Sequence, residues 1–431
     1  DPDEKRVLED GMSIYDAAVG QIEYMRAGQT ARADFFTNLY WNDVPSSTLI
    51  GGYVEGSKEQ PFVYDTKDPS SVKSKYSVDE TRKPMEWKGS RGYAFKIVLA
   101  GDEWEKNGVP WKQYQPVSGE NAWAKVIGPL QVYHQKYGST LKADAVELQL
   151  AKEGARVAMI LQAENGGIRM APIGTWSKQE DSSKDPSMWV WMYNEISTEN
   201  NISWHAAFTM LYAITGDQQY KIAADKIKGY LDKARDPATG LLAQGMHFSS
   251  STNTWSVNEG LATDCETWYI AEQGTSAIDA AYGEGAAYKM WEATKAFSGV
   301  YDHEHNLLGF DFNKRASIVS VEWSMGGVIA AKDMIKAYSA SHPDWAQALQ
   351  KDIDSIHKYT ETLKVTRNGV TGYFYSSDRG DTGFGWTAAG KIPSTASTAW
   401  KSLAGNPEDP ADYFNPFILG GNTAAGVTPA S

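Results

Sequence analysis

Three carboxylates in this chain lie close to tryptophans, at points where an apolar pattern with helical spacing begins. The carboxylates are Glu199, Asp264 and Glu322, and the nearby aromatic residues are Trp204, Trp268 and Trp323. A carboxyl group can donate or accept a proton in catalysis. An indole ring offers a flat apolar face with one polar atom, which suits the C–H face of a pyranose ring. The combination predicts a site that binds carbohydrate and transfers protons.

Each of these acids also has a purely structural explanation. Negative charge in the first turn of a helix is favoured by capping and by the helix dipole. A single acid of this kind therefore indicates nothing, and only the recurrence beside many tryptophans favours a site. A fourth candidate, Glu195, lies four residues before Glu199. If both were helical, their backbones would be about 6 Å apart, close enough to share one subsite.

Further polar and aromatic residues near these segments are candidates for holding a sugar. A guanidinium or an amide can hydrogen-bond hydroxyl groups, although such residues are more often found in surface contacts and caps. The candidates are Asn200, His205, Trp123, which opens another helix, Arg91, which lies in an aromatic loop, and Trp386.

The composition narrows the class of function. The chain has 431 residues, among them 16 Trp, 23 Tyr and 13 Phe, and its net charge is −13. The negative charge argues against nucleic acid or an anionic membrane surface as a partner. No apolar run is long enough for a membrane helix. No phosphate-loop, dinucleotide or metal-ligand motif is present, so we expect no cofactor and no metal.

The single cysteine, Cys265, excludes an internal disulfide and does not decide the compartment. The sequence begins at Asp1 without a methionine, which is consistent with a signal peptide that has been removed. We therefore expect a secreted or periplasmic protein.

Helical hairpins dominate the pattern along the chain. A weakly charged helix over 203–214 is followed by a more charged one over 218–233, and 321–338 is followed by 344–363 in the same way. The weakly charged member of each pair is predicted to be the inner one. Aromatic, glycine-rich segments separate the pairs, with short strands predicted near 93–98 and 373–375. We predict one domain over 1–431 with a frayed tail over 421–431.

Ten to twelve helices in hairpin pairs, with functional loops at one end, predict a mainly α fold of the (α/α)6 toroid type. A tetratricopeptide solenoid is the main competitor, but its period of about 34 residues is not found. The arrangement of acids and aromatics at helix starts resembles the (α/α)6-barrel carbohydrate-active enzymes, including the inverting endoglucanases and glucoamylases of that fold. The resemblance implies that Glu199, Asp264 and Glu322 lie at a cleft built by the starts of inner helices.

A glycoside hydrolase acting on a poly- or oligosaccharide is the function that this resemblance favours. One carboxylic acid would protonate the glycosidic oxygen and a second carboxylate would activate water, the pair standing roughly 6.5–9.5 Å apart in an inverting enzyme. Our hypothesis makes Glu199 the acid and Asp264 or Glu322 the base. Two alternatives stay open: a polysaccharide lyase using Asn200, Asn201 and His205, and a glycan-binding envelope protein without catalysis. We expect a monomer in each case.

Overall fold

The computed structural model of the protein describes most of the chain. The described residues are 11–42, 93–94, 96–99, 116–171, 176–177, 190–249, 251–384 and 387–421. Arg91, Trp386 and the tail from 422 lie outside them, so the predictions for these residues stay predictions.

Contacts divide the chain into two compact units. The first unit comprises the described residues up to 230 together with Met246–Ser256, and the second comprises Leu231–Gly245 and the described residues from 257 onwards. That the whole chain forms one domain stays a prediction.

The first unit is built mainly from helices. They are α1 (Ile14–Arg26), α2 (Thr30–Asn42), α3 (Ser118–Asn121), α4 (Gly128–Tyr137), α5 (Val146–Ile160), α6 (Thr198–Thr215) and most of α7 (Gln218–Ala234), and a π-helical segment, Ala122–Ile127, joins α3 to α4. The helix predicted over 203–214 is confirmed as α6, which begins five residues earlier, at Thr198. It ends where predicted, because Gly216 adopts the left-handed conformation that stops a helix.

Helical hairpins also form the second unit. Its helices are α8 (Thr263–Gln273), α9 (Thr275–Tyr282), α10 (Ala286–Ser298), α11 (Val321–Tyr338), α12 (Pro343–Glu361) and α13 (Thr395–Leu403). The predicted pair over 321–338 and 344–363 is confirmed as α11 and α12. No helix within the described ranges is long and apolar enough to cross a membrane.

Short antiparallel strands connect the helices. They are β1 (Gly11–Ser13), β2 (Ile97–Leu99), β3 (Trp176–Ser177), β4 (Val190–Trp191), β5 (Glu195–Ser197), β6 (Gly245–Ser249), β7 (Thr254–Asn258), β8 (Gly299–Tyr301), β9 (Leu307–Phe310), β10 (Lys364–Arg367), β11 (Val370–Phe374), β12 (Arg379–Asp381), β13 (Thr387–Ala389) and β14 (Pro393–Ser394). The pairings are β1–β2, β3–β4, β8–β9 and β12–β13, with three-stranded sheets β5–β6–β7 and β10–β11–β14. A mainly α fold with short β-hairpins is therefore confirmed.

Serine caps fix several of the helix starts. The Oγ atoms of Ser197, Ser320 and Ser394 accept hydrogen bonds from backbone N–H groups three residues later. A serine directly before an apolar helical run predicts a cap at Ser320, and the structure confirms it. The same pattern predicts Thr263 or Asp264 as the cap of α8, which is wrong, because Ala262 occupies that position without a side-chain bond. The hydroxyl of Thr263 instead donates to the carbonyl oxygen of Asp311 at 2.6 Å.

Two glycines allow α11 to lie close to its neighbours. A Cβ atom added to Gly326 would meet the indole Nε1 of Trp268 on α8 at 2.7 Å, and one added to Gly327 would meet the ring of Phe310 at 2.9 Å. Two glycines inside an apolar helix are unfavourable for the helix itself, and this close approach is the structural reason for them. Trp268 is buried between α11 and the rings of Trp400 and Phe417.

Candidate active site

The three predicted acids occupy the same position in three helices. Counting from the residue that caps each helix, Glu199 in α6, Asp264 in α8 and Glu322 in α11 are each the second helical residue, N2. The sequence showed acids near helix starts, and the structure shows that they share one register.

A second polar residue recurs two positions further along, at N4, and has a different structural role. It accepts a hydrogen bond from a backbone N–H of the segment that precedes the helix. The pairs are Ala94 with Asn121 (2.7 Å), Ile168 with Asn201 (2.6 Å), Leu242 with Glu266 (3.0 Å), Phe310 with Ser324 (2.9 Å) and Tyr373 with Thr398 (3.0 Å). In five helices of the described residues, the N4 side chain thus holds the helix to an earlier segment of the chain by the same kind of hydrogen bond.

This register separates the two kinds of polar residue in space. Successive residues of a helix are about 100° apart, so N2 and N4 point about 200° apart. The N4 side chain is directed at the preceding segment, so the N2 acid is directed away from it. The hydrogen bond from Leu242 gives Glu266 a structural role. Asp264, at N2 of the same helix, does not make this kind of bond to the earlier segment.

Asp264 and Glu322 belong to one neighbourhood of the second unit. The segment 310–312 contacts the starts of both helices: Thr263 donates its backbone N–H to Phe312 at 3.2 Å, and Ser320 donates to Phe310 at 2.9 Å. The starts of the two helices that carry Asp264 and Glu322 are therefore both held to the segment 310–312.

Burial changes the acidity of Asp264. Its side chain keeps only 7% of its possible exposure, and burial raises the pKa of Asp264 to about 7, although the backbone N–H of Cys265 donates to its carboxylate and opposes this. The pKa of Glu266, which is fully buried, is also raised by burial. Glu322 is 5% exposed. A carboxyl with a pKa near 7 is suited to donate a proton at neutral pH.

Aromatic rings line the same neighbourhood. Phe312 packs edge-on against Trp323 at 4.7 Å between centroids and lies 5.6 Å from Tyr375, and Phe384 lies 6.0 Å from Trp323. Trp323 itself is nearly buried, whereas Tyr375 and Phe384 are half-buried. Of these, the sequence identified only Trp323.

The prediction that Trp123, Trp204 and Trp268 offer faces to sugar is wrong for this structure. Trp123 and Trp204 are fully buried and Trp268 nearly so. Their polar atoms serve packing, since the Nε1 of Trp123 donates to the Oγ of Ser203 and that of Trp204 donates to the carbonyl oxygen of Ser118. Trp204 also stacks on Tyr93 at 6.0 Å.

Glu199, in the first unit, lies in a charged cluster. Lys96 contacts Glu120 at 2.8 Å. Glu120 raises the pKa of Lys96, Glu199 and Asp16 add smaller contributions in the same direction, and burial opposes them. These three acids occupy the first turns of α3, α6 and α1 respectively. The first unit thus also gathers helix-start acids, here around a lysine that the sequence did not single out.

Glu195 does not form a helical pair with Glu199, because it lies in β5. Its Oε1 is 2.5 Å from Nδ1 of His247 on β6. Burial raises the pKa of Glu195, and the contact with His247 opposes this rise. His247 is 52% exposed in its side chain. The prediction that Glu195 and Glu199 share a subsite through one helical turn is therefore wrong.

The residues proposed for a lyase have mainly structural contacts. Asn201 accepts from the N–H of Ile168 and donates to the carbonyl oxygens of Ile168 and Ser197. Asn200 is buried beside Gly119, where it donates to the Oγ of Ser118 at 3.5 Å. His205 is half-buried on α6. These contacts favour a packing role for both asparagines.

Replacing Asn201 by leucine is therefore expected to destabilise the fold. The substitution leaves the N–H and C=O of Ile168 buried without their partner, which costs about 2–4 kcal/mol in unfolding free energy. Urea denaturation measures the loss. Gln135→Leu, an exposed position on α4, is the control and should change little; equal stabilities for the two variants would contradict the role of Asn201.

Comparison with known proteins adds information at the level of the fold. No protein-family model and no curated protein sequence matches the chain. Among solved structures, the chain is similar to a sugar epimerase from a ruminal bacterium, with 13% identity and a TM-score of 0.51 over 92% of this chain and 88% of that chain.

Two glycosidases show a weaker likeness. An unsaturated glucuronyl hydrolase from Streptococcus agalactiae has 11% identity and a TM-score of 0.45, with 66% of this chain and 69% of that chain covered. A family 76 α-mannanase from Bacteroides thetaiotaomicron has 13% identity and a TM-score of 0.43, with coverages of 67% and 69%. The sugar epimerase, with a TM-score above 0.5 over most of both chains, confirms the predicted resemblance to the (α/α)6-barrel carbohydrate-active enzymes at the level of the fold.

Proposed function

We propose that the protein is a glycoside hydrolase in which Asp264 donates the proton and Glu322 is the base. The observation that carries this proposal is the nearly buried carboxyl of Asp264, at N2 of α8, with its pKa raised to about 7. Glu322 holds the same N2 position on α11, which packs closely against α8. The assignment of Glu199 as the acid stays a prediction from the sequence.

The chemistry requires one protonated and one ionised carboxyl group at the same time. An aspartic acid with its ordinary pKa near 3.8 is protonated in only about one molecule in a thousand at pH 7. With a pKa of about 7, roughly half of the molecules carry the proton. Asp264 would protonate the glycosidic oxygen, and Glu322 would take a proton from the attacking water.

The aromatic residues beside these acids support a carbohydrate substrate. Tyr375 and Phe384 are half-buried, and they continue the ring contacts that begin at Trp323 and Phe312. Apolar ring faces can hold the C–H face of a sugar while carboxylates accept hydrogen bonds from its hydroxyl groups. We therefore propose a poly- or oligosaccharide as the substrate. We also propose that the protein is exported from the cytoplasm.

A screen of polysaccharides and oligosaccharides, read by the size and configuration of the products, identifies the reaction. New reducing ends support hydrolysis. An unsaturated uronate would instead indicate a lyase, an epimer of unchanged size would indicate isomerisation, and binding without any product would indicate a glycan-binding protein. Each of these three outcomes contradicts the proposal.

Glu322→Gln is expected to lower kcat on the identified substrate by about 10²–10⁴-fold, because general base catalysis contributes that much. Glu266→Gln is the matched control. It replaces another nearly buried helix-start acid, yet its side-chain oxygen can still accept from the N–H of Leu242, so kcat should stay within a few-fold. Similar losses in both variants would assign Glu322 to the fold and not to the reaction.

A further inference from the structure

Lys332, on α11, is a fully buried cation surrounded by backbone oxygens. Its Nζ lies within hydrogen-bonding distance of four carbonyl oxygens of the segment that follows α13. They belong to Ala404 (2.8 Å), Asn406 (2.6 Å), Asp409 (3.1 Å) and Asp412 (2.9 Å). An ammonium group has only three N–H bonds, so four oxygens surround it in the way that ligands surround an ion.

The segment 404–412 is folded by its own hydrogen bonds. The N–H of Asn406 donates to the carboxylate of Asp412 at 2.8 Å, and that of Ala411 donates to Asp409 at 2.9 Å. Gly405 has a φ of +69°, and a Cβ atom there would lie 1.8 Å from the carbonyl oxygen of Asp412. The chain therefore places glycine where the backbone must approach itself. These contacts organise the carbonyl groups without using the lysine.

We propose that the carbonyl groups of residues 404–412 form a monovalent cation site whose resident cation is the ammonium group of Lys332. Without that side chain, the same oxygens would bind a free potassium or ammonium ion. Backbone carbonyl oxygens replace the hydration shell of potassium in ion channels, which shows that this ligand type suits the ion.

The distances select the class of cation. The four N···O separations lie between 2.6 and 3.1 Å. Calcium takes oxygen ligands at about 2.3–2.6 Å and magnesium at about 2.0–2.1 Å. The site is therefore too wide for either divalent ion and fits a larger monovalent one. Burial lowers the pKa of Lys332 to about 8, and the carboxylates of Asp412 and Asp409 oppose this by favouring positive charge at the amine.

The site holds the C-terminal segment of the second unit in place. Beyond it, Asn415 donates to the carbonyl oxygen of Ala271 on α8 at 2.7 Å, and Phe417 packs against Trp268 and Trp400. Lys332 lies on α11, the helix whose second residue is Glu322. The bound cation thus links this helix to a segment that also contacts α8.

Thermal unfolding of Lys332→Ala at constant ionic strength tests the proposal. Potassium or ammonium chloride is compared with tetramethylammonium chloride, whose ion is too large for the site. We expect a saturable rise in Tm of about 5 °C with potassium or ammonium, and no such rise with tetramethylammonium. Wild-type protein, with its site filled, should show no difference among the salts.

Lys332→Met is the matched variant, because its side chain fills the path to the carbonyl groups without bringing a charge. Its Tm should respond equally to all three salts. If Lys332→Ala is unfolded in tetramethylammonium, potassium or ammonium should restore the fold, as followed by circular dichroism. An alanine variant that responds alike to all three salts, or that stays unfolded in each, overturns the proposal.

Discussion

Asp264→Asn is expected to slow turnover strongly while making the folded protein more stable at pH 8. Asparagine cannot donate the proton that the glycosidic oxygen needs, so we expect kcat to fall by about 10²–10⁴-fold. In the unsubstituted protein, kcat/KM should fall about tenfold for each pH unit above pH 7, since the pKa of Asp264 is about 7.

The gain in stability follows from the direction of the pKa shift. The pKa of Asp264 is about 7 in the folded protein and near 3.8 in the unfolded chain. Between these values the folded state binds more protons, so the unfolding free energy falls as the pH rises from about 4 to 7. Three pKa units at about 1.4 kcal/mol each give up to roughly 4 kcal/mol at pH 8. Asparagine is neutral and avoids this cost.

Urea denaturation of both proteins at pH 8 and at pH 4 measures the effect. The variant should be more stable by about 2–4 kcal/mol at pH 8, and the difference should nearly vanish at pH 4. Asp344→Asn is the control, because Asp344 also lies in the first turn of a helix but is exposed. A variant of Asp264 that is inactive but equally stable at both pH values would show that its carboxyl is not held protonated by burial.

Gly326→Ala is expected to destabilise the protein, although alanine is the better helix former. The added Cβ would lie 2.7 Å from Nε1 and 3.0 Å from Cδ1 of Trp268. The indole cannot withdraw easily, because Trp400 and Phe417 pack against it. Overpacking of this kind costs about 1–3 kcal/mol, which outweighs the gain of about 1 kcal/mol from helix propensity.

Gly229→Ala is expected to change the unfolding free energy in the opposite direction. Gly229 lies inside α7, and a Cβ atom there would meet no atom within 4 Å. We expect the unfolding free energy to rise by about 0.5–1 kcal/mol. Thermal and urea unfolding of the two variants give the signs directly. A stabilised Gly326→Ala would mean that α8 and α11 can move apart at little cost.

Local sequence predicts the helix starts well because capping is a local interaction. Ser320 and the residues directly after it contain the whole signal for the start of α11, and the structure confirms it. The roles of the tryptophans are not local. Trp204 is buried by Tyr93, more than a hundred residues earlier, so no pattern near Trp204 distinguishes a packing role from a sugar-binding one.

Contacts between side chains that are far apart in the sequence could not be predicted from local patterns either. His247 contacts Glu195 from 52 residues away, and Lys96 contacts Glu120, which lies 24 positions later in the sequence. The hydrogen bonds to the N4 side chains could not be predicted for a different reason. The partners of these N4 residues are backbone N–H groups, which every residue except proline has, so the partner's sequence carries no signal.

Positions N2 and N4 of these helices are under different structural requirements. N4 holds asparagine, glutamate, serine or threonine in the five helices, because each must accept a backbone hydrogen bond. N2 in the same helices holds glycine, an acid or alanine. The residue at N2 can therefore differ from helix to helix while the same hydrogen bond at N4 holds each helix in place, so the chemistry of a helix start is separate from its attachment to the fold.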